Sequence, residues 1–327
     1  MKRGKWWLYA ILILIIVYLM GPRPADPVYD KKLPEVPSAA NLDTYINQHE
    51  SQHKLRPDNE ARIVWADSSK SITDYSILYL HGFSASQGEG DPVHKDIAKK
   101  YHCNLYLSRL AEHGIDTTEK LQNLTADKLW ESAKEAYAIA SKIGRKVIVV
   151  GTSTGASLAL MLAANYPQVH SLVLLSPNIE IFDSNAWILN NPWGLQLAKL
   201  INGSPYIISQ DTRPIYKQYW SYGYRIESVV QLEEMLESAM KPGLFKKVTQ
   251  PALMLYYYRD EIHQDSVVKV DAMQKMFSEL GTPADKKRAV PIPNAGNHVI
   301  GSYIKSNDVA AVEKEIEKFI DEVLRIK

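Results

Sequence analysis

The sequence predicts an α/β fold in which a mostly parallel central sheet is flanked by helices. From residue 61 onward, short apolar segments alternate with longer segments of helical periodicity. The short segments are rich in Val, Ile, Leu and Tyr and lack polar alternation, as expected for strands buried on both faces of a sheet. The chain has 327 residues, of which 46% are hydrophobic, so it is long and apolar enough to bury such a sheet.

The composition excludes several classes of protein. The net charge is +1, with 38 basic and 37 acidic residues, so a nucleic-acid partner is not expected. Cys103 is the only cysteine, which rules out an intrachain disulfide and a cysteine-based metal cage. The glycine-rich motifs that bind nucleotides do not occur. The sequence therefore predicts neither a cofactor nor a metal site.

The first 40 residues differ in composition from the rest. Three basic residues precede an uncharged apolar stretch at 6–20, and five prolines follow within residues 21–40. As a helix the apolar stretch spans about 22 Å, short of the ~30 Å hydrocarbon core. We interpret residues 1–20 as an uncleaved membrane anchor with the catalytic domain outside the cytoplasm, and residues 21–40 as a semi-extended spacer. The alternative is a cleaved signal segment and a secreted protein, although no small-residue cleavage site is evident.

Residues 41–327 are expected to form one α/β domain. Helical segments follow strand segments closely, as right-handed crossovers require. The predicted helices are 126–143, 153–166, 267–280 and 309–326. The predicted strands are 61–65, 76–80, 104–107, 146–150, 171–175, 252–257 and 288–291.

The alternation is interrupted at about residues 177–250 by an aromatic-rich insertion. We interpret it as a cap whose aromatic side chains wall an apolar pocket beside the sheet, with a small satellite core as the alternative. A helical segment with acidic residues, 227–240, closes the insertion. Its aromatic residues are Phe182, Trp187, Trp193, Tyr206, Tyr216, Tyr219, Trp220, Tyr222 and Tyr224.

A G-x-S-x-G motif joins the strand at 146–150 to the following helix. It comprises residues 151–155, with Ser153 at its centre. In this context the motif is typical of a nucleophile elbow, in which a strained turn raises the serine hydroxyl above the sheet. Glycines are expected on either side of the serine because a larger side chain at those positions would clash with the strand and the helix. The helix also directs its positive N-terminal end at developing negative charge.

The strand at 76–80 ends in a second turn, His81-Gly82-Phe83. Acyl transfer requires two N–H donors for the oxyanion, each worth about 3 kcal/mol. The backbone amides of Phe83 and Thr154 are the candidates. The alternative is that Gly82 only turns the chain.

Taken together, these motifs resemble the α/β-hydrolase superfamily, close to its carboxylesterase and monoglyceride-lipase branch. The resemblance is carried by H-G-F-x-x-S at 81–86, R-L-x-x-H-G at 109–114 and the elbow at 151–155. It covers about residues 61–327. We interpret the motif at 109–114 as structural.

The resemblance implies the chain order serine, acid, histidine. His298, in a loop before the last helix, is then the predicted base, whereas His263 lies in a polar loop and is expected to be solvated. Two cues for the acid disagree. In the family the acid usually follows the preceding strand at a spacing that here marks Asp260, whereas a second family cue, Asp-x-Val-Val at a helix start, marks Asp265. We favour Asp265, because a helix entry holds a carboxylate in fixed geometry.

The sequence thus predicts a serine hydrolase that cleaves carboxylic esters through an acyl-enzyme. Ser153 would be the nucleophile, His298 the base and Asp265 the acid, with Asp260 as the alternative acid. The expected partner is a small-molecule ester with an apolar acyl or alcohol part. Two alternatives remain: an amide or thioester hydrolase with the same triad, and a catalytically silent protein that keeps the fold for binding.

Overall fold

The computed structural model describes residues 6–326. Within that range the strands are β1 (Arg62–Val64), β2 (Thr73–Leu80), β3 (Asn104–Leu107), β4 (Gly144–Thr152), β5 (Val169–Leu175), β6 (Tyr206–Ile208), β7 (Gly223–Arg225), β8 (Ala252–Tyr256) and β9 (Lys287–Pro291). The α-helices are α1 (Trp6–Leu19), α2 (Leu42–Glu50), α3 (Val93–Lys100), α4 (Ala126–Ile143), α5 (Thr154–Asn165), α6 (Gly194–Asn202), α7 (Pro214–Tyr219), α8 (Ile226–Ala239), α9 (Pro242–Phe245), α10 (Val270–Glu279) and α11 (Val309–Phe319).

Seven of the described strands form one sheet in the order β1-β3-β2-β4-β5-β8-β9. The first pair, β1 and β3, is antiparallel, and the remaining pairs are parallel. The predicted mostly parallel sheet is therefore confirmed. The carboxyl ends of β2, β4 and β5 lie side by side, so the loops that follow them meet at one edge.

Alternate residues of the central strands enter two separate hydrophobic cores. Leu78, Val149 and Leu172 are aligned across β2, β4 and β5 and pack with residues of α4 and α5. Ile77 and Ile148 point to the opposite face and pack with residues of α3 and α11. Burying one such side chain stabilises the fold by about 1.5–3 kcal/mol, so coverage of both faces explains the apolar strands.

Three predicted helices have different ends in the structure. The helix expected from 153 starts at Thr154, because Ser153 has a φ of 53°. The helix expected from 267 starts at Val270, since the preceding residues form a turn around Asp265. The last helix ends at Phe319 and continues as a π-helical segment, Ile320–Leu324.

The prediction of an N-terminal membrane anchor is wrong. Helix α1 has 14 residues, which corresponds to about 21 Å. None of the helices found in residues 6–326 combines the length and the apolar character needed to cross a membrane. The predicted location depended on this segment and is not supported either. The first five residues of the predicted anchor lie outside the described part of the chain.

The proline-rich stretch that follows α1 lies along the surface of the α/β domain. The carbonyl of Asp30 accepts a hydrogen bond from Trp130 Nε1 at 2.6 Å, and that of Lys31 accepts one from Tyr166 at 2.9 Å. The hydroxyl group of Tyr29 is hydrogen-bonded to Ser238 at 2.7 Å. These contacts join residues 29–31 to α4, α8 and the end of α5.

The cap insertion contains α6 to α9 and the antiparallel pair β6–β7. It contacts the turn after β2 through two hydrogen bonds: the amide of Ser221 donates to the carbonyl of Ser84 at 2.7 Å, and Ser86 Oγ donates to the carbonyl of Tyr219 at 3.1 Å. The cap therefore lies over the edge of the sheet at which β2, β4 and β5 end.

Candidate active site

Ser153 occupies a strained turn between β4 and α5. Its φ of 53° and ψ of −118° lie in a region that non-glycine residues rarely adopt. The flanking glycines are required by space: a Cβ at Gly155 would lie 2.0 Å from the carbonyl oxygen of Leu80, and one at Gly151 would lie 2.5 Å from that of Gly155. The sequence therefore folds locally as a nucleophile elbow.

His298 and Asp265 form a buried pair. The Nδ1–H of His298 donates to Asp265 Oδ2 at 2.6 Å, and the two residues are 8% and 1% exposed. The other carboxylate oxygen accepts the amides of Val267 and Val268 at 2.9 and 3.1 Å. Asp265 is thus fixed in orientation, and Nε2 of His298 is left without a proton and can accept one.

The pKa of His298 reflects opposing effects. Burial lowers it, but the charge of Asp265, its hydrogen bond and the charge of Glu89 together outweigh burial, so the pKa of His298 is raised above its usual value of 6.5. A raised pKa makes this imidazole a stronger proton acceptor.

Asp260 lies away from this pair. Its carboxylate is half-exposed and forms an ion pair with His263 Nδ1 at 2.9 Å. It also accepts the amides of Ile262 and His263. The segment between β8 and Asp265 folds back on itself, with a bridge between Tyr258 and Gln264, and this excursion carries Asp260 to an exposed tip.

Two buried histidines hold the turn that carries Phe83. His81 Nδ1–H donates to the carbonyl of Gly82 at 2.9 Å, and His113 Nε2 accepts the amide of Ser84 at 3.0 Å. The peptide groups on either side of Phe83 are therefore fixed. Among the described residues, no acceptor is found for the amide of Phe83 or Thr154, so both amides are available to an oxyanion.

Both of these histidines are held neutral. Burial lowers the pKa of His81 to about 4 and that of His113 well below its usual value. Arg109 supports the arrangement by donating a hydrogen bond to the carbonyl of His113 at 3.1 Å. Its guanidinium group also forms a bidentate ion pair with Glu50, at 2.7 and 2.9 Å. The motif at 109–114 thus has structural contacts in this fold.

Ser153 and His298 line the same cavity, which has a volume of about 380 Å³. Phe83 borders it at the sheet edge, and the cap contributes three of its nine aromatic residues. Other cap aromatics, including Phe182 and Trp187, are exposed instead. The further lining residues are Ser84, Glu89, Asn178, Ile181, Ile207, Tyr216, Trp220, Tyr224, Val229, Leu232, Val267, Asn297, Val299 and Lys305.

Glu89 is a buried residue of this cavity that the sequence analysis missed. It is 2% exposed, and its carboxylate accepts the amide N–H of Gly82. Burial raises the pKa of Glu89 to about 7, against the lowering effects of the Gly82 amide, His298 and Trp220. The only local signal is an acidic residue between two glycines, Gly88 and Gly90, in the segment that follows the His-Gly turn.

Within residues 6–326, no group of three or more His, Cys, Asp or Glu side chains is placed to hold a metal ion.

The chain has the α/β-hydrolase fold, as its similarity to solved structures shows. Metagenome-derived lipolytic enzymes described as LipS and LipT match with a TM-score of 0.65 at 16% identity, over 82% of this chain and 100% of the other. The monoacylglycerol lipase of Paleococcus ferrophilus matches with a TM-score of 0.58 at 13% identity, over 80% and 98%. Est1E from Butyrivibrio proteoclasticus, with bound ferulic acid, matches with a TM-score of 0.55 at 14% identity, over 81% and 95%.

The resemblance inferred from the three motifs is confirmed at the level of the fold. No protein-family model matches the chain, and no curated protein matches it in sequence. Because the sequence identity to these solved structures is low, the similarity establishes the fold alone, and the activity has to be argued from the site.

Proposed function

We propose that the protein is a serine hydrolase that cleaves carboxylic esters through an acyl-enzyme. The observation that carries the proposal is the buried Asp265–His298 pair beside the strained Ser153 in one cavity. A neutral imidazole oriented by a carboxylate is the arrangement that activates a serine hydroxyl. The lipolytic enzymes and the monoacylglycerol lipase among the similar structures add support, because they place ester hydrolysis on this fold.

In the first half-reaction Ser153 Oγ attacks the ester carbonyl carbon and its proton passes to His298 Nε2. The electron pair of the carbonyl bond moves to oxygen, which the amides of Phe83 and Thr154 stabilise. The tetrahedral intermediate then collapses and the bond to the alcohol breaks. The alcohol leaves with the proton from His298, and the acyl group stays on Ser153.

In the second half-reaction water attacks the acyl-enzyme and gives its proton to His298 Nε2. The new tetrahedral intermediate expels Ser153 Oγ, which recovers that proton, and the carboxylic acid is released. Asp265 holds the imidazole in the required tautomer throughout and stabilises its charged form.

The walls of the cavity favour an ester with an apolar part. The side chains of Ile181, Ile207, Val229, Leu232 and Val267 line it together with the aromatic residues of the cap. Transfer of apolar surface from water to such walls contributes about 25 cal/mol for each Å² buried.

The test is the substitution Ser153→Ala, assayed with 4-nitrophenyl esters and with a fluorophosphonate probe. We expect kcat to fall by about 10⁶-fold and labelling to be lost, with the unfolding midpoint retained. Peptide mapping should place the label on Ser153 in the wild type. Full activity in the variant would refute the proposal, and an unlabelled wild type would favour a silent binding protein. Amide and thioester analogues of the best ester identify the preferred leaving group.

A further inference from the structure

The cavity contains a carboxyl group that the proposed reaction does not use. Glu89 is almost completely buried, and no Lys, Arg or His within residues 6–326 lies close enough to form an ion pair with it. The amide N–H of Gly82 and the side chain of Trp220 donate hydrogen bonds to it, but neither donor carries a charge. Burying a carboxylate without a counter-charge is costly, so a fold that keeps one beside a cavity has a reason to do so.

The turn that carries Glu89 is tightly fixed. A Cβ at Gly88 would lie 2.4 Å from the ring of Tyr219, and one at Gly90 would lie 2.5 Å from the ring of Tyr79. The carbonyl of Gly88 also accepts a hydrogen bond from Ser302 Oγ at 2.7 Å. The carboxyl group is therefore held in place by the packing of its neighbours.

This position is next to the reacting atoms. The point at which Gly82 would carry a Cβ is 2.8 and 2.9 Å from the two carboxylate oxygens of Glu89 and 3.1 Å from the Cβ of Ser153. An ester bound to Ser153 would thus pass close to the Glu89 carboxyl group. Glu89 and His298 line the same cavity, and the charge of each acts on the pKa of the other.

The basic side chains that line the cavity, His298 and Lys305, form their ion pairs with other carboxylates and not with Glu89. Lys305 also lines the cavity, but its ammonium group is bound to Asp211 at 3.1 Å and lies 4.8 Å from the centre of the Tyr216 ring. Asn178 adds a buried Oδ1 for which no hydrogen-bond partner is found among the described residues. Asn178 Oδ1 is therefore a second acceptor at the cavity, beside the Glu89 carboxylate, that a donor group could approach.

We propose that Glu89 is a specificity-determining residue that binds an ammonium or hydroxyl group carried by the ester near its scissile bond. This inference rests on the proposed ester hydrolysis and narrows its substrate class. A donor from the substrate would add a further hydrogen bond, and an ammonium group would also supply the counter-charge that the protein does not provide. A charge-assisted hydrogen bond in a desolvated site is strong. Esters with a carboxylate at the same position would be repelled.

The test compares pairs of esters that differ only in the donor group. On the alcohol side the pairs are 2-(dimethylamino)ethyl against 3-methylbutyl butanoate, and 2-hydroxyethyl against propyl butanoate. On the acyl side they are ethyl 3-(dimethylamino)propanoate against ethyl 4-methylpentanoate, and ethyl 3-hydroxypropanoate against ethyl butanoate. Acid release is followed at a pH of about 7.5 for the wild type and for Glu89→Gln, which keeps an acceptor for Gly82 but loses the charge.

Glu233→Gln is the matched control. Glu233 is also buried, burial raises its pKa to about 7, and it lies on α8 outside the cavity. We expect the ratio of kcat/KM between donor ester and isostere to fall by about tenfold or more in Glu89→Gln for at least one pair, and to stay unchanged in Glu233→Gln. A fall for the amine pairs alone would identify an ammonium group, and a fall for the alcohol pairs a hydroxyl group.

Equal ratios in the wild type and Glu89→Gln for all four pairs would overturn the inference and leave Glu89 as a support for the Gly82 turn. If Glu89→Gln does not fold, the wild type decides alone, because a preference for the isostere in every pair overturns the inference. Failure of the proposed hydrolysis is a separate result: no ester would be cleaved and Ser153 would not be labelled.

Discussion

His298 Nδ1 lies 2.6 Å from Asp265 Oδ2, in a pair that is almost completely buried. Asp260 is instead exposed and paired with His263. A neutral amide at position 265 would no longer select the tautomer that leaves Nε2 free to accept a proton. We therefore expect Asp265→Asn to lower kcat by about 10⁴-fold, measured by steady-state hydrolysis of a 4-nitrophenyl ester.

Asp260→Asn is the matched control for this prediction, because it makes the same chemical change five residues away. We expect its kcat to remain close to that of the wild type. Unfolding midpoints show whether both variants are folded. A large loss in Asp260→Asn with little loss in Asp265→Asn would show that the acid has been assigned to the wrong residue.

The pH dependence of activity should report the environment of His298. Its pKa is raised, since Asp265 and Glu89 together outweigh the lowering effect of burial. The base works only when it is neutral, so kcat/KM should fall as the pH drops through a value above 6.5. In Asp265→Asn the raising effect of the acid is lost while burial remains, so the midpoint of the residual activity should move to lower pH.

This prediction is checked by measuring kcat/KM across the acid and neutral range for both proteins. Glu233→Gln serves as a control, because Glu233 lies outside the cavity. The assigned role of His298 would be contradicted by an acid limb that stays at the same pH in Asp265→Asn.

The fold was predictable because its strands and turns are local patterns. Three local patterns each indicate a single structure in this context. They are the apolar segment before Ser153, the glycines around it, and the His-Gly turn at 81–82. Their order along the chain, together with the alternation of strands and helices, was enough to identify the α/β-hydrolase fold. The roles of Ser153 and His298 remain predictions that the geometry supports.

Other features depended on contacts between distant segments. The burial of Glu89 requires the amide of Gly82 and the cap residue Trp220, which no local pattern reveals. The sequence favoured Asp265 but left Asp260 open as the acid, because the fold of 258–264 is set by a bridge between its ends. At the N-terminus the sequence showed an apolar segment, but the described helix is too short to cross a membrane.

Gly155 should be intolerant of any side chain. A Cβ there would lie 2.0 Å from the carbonyl oxygen of Leu80, which belongs to the buried backbone of β2 and cannot easily move aside. We expect Gly155→Ala to lower the free energy of unfolding by about 3 kcal/mol and to reduce activity by displacing Ser153. Denaturant unfolding measures the first effect and fluorophosphonate labelling the second.

Gly243→Ala is the matched control for that substitution. A Cβ at Gly243, in α9, would meet no atom within 4 Å. Since alanine is the better helix former, this variant should be as stable as the wild type or more stable by about 0.5–1 kcal/mol. If the two alanine variants were equally stable, the close approach of Gly155 to Leu80 would not be a constraint of the folded state.

The pair His81 and His113 should make the fold sensitive to acid. Burial lowers the pKa of His81 to about 4, whereas the unfolded chain titrates near the usual value of 6.5. Between these values the unfolded state binds more protons, so the contribution is fully present above pH 6.5 and is lost as the pH falls through 4. His81 alone accounts for a loss of about 3 kcal/mol over this window, and His113 adds to it in the same direction.

Denaturant unfolding at a series of pH values measures the loss. We expect His81→Asn to be less stable than the wild type at neutral pH but to lose less stability on acidification. The control is His53→Gln: because His53 is exposed, this substitution should leave the pH dependence of the free energy of unfolding unchanged. An identical pH dependence in His81→Asn and the wild type would mean that the buried imidazole does not stay neutral in the folded protein.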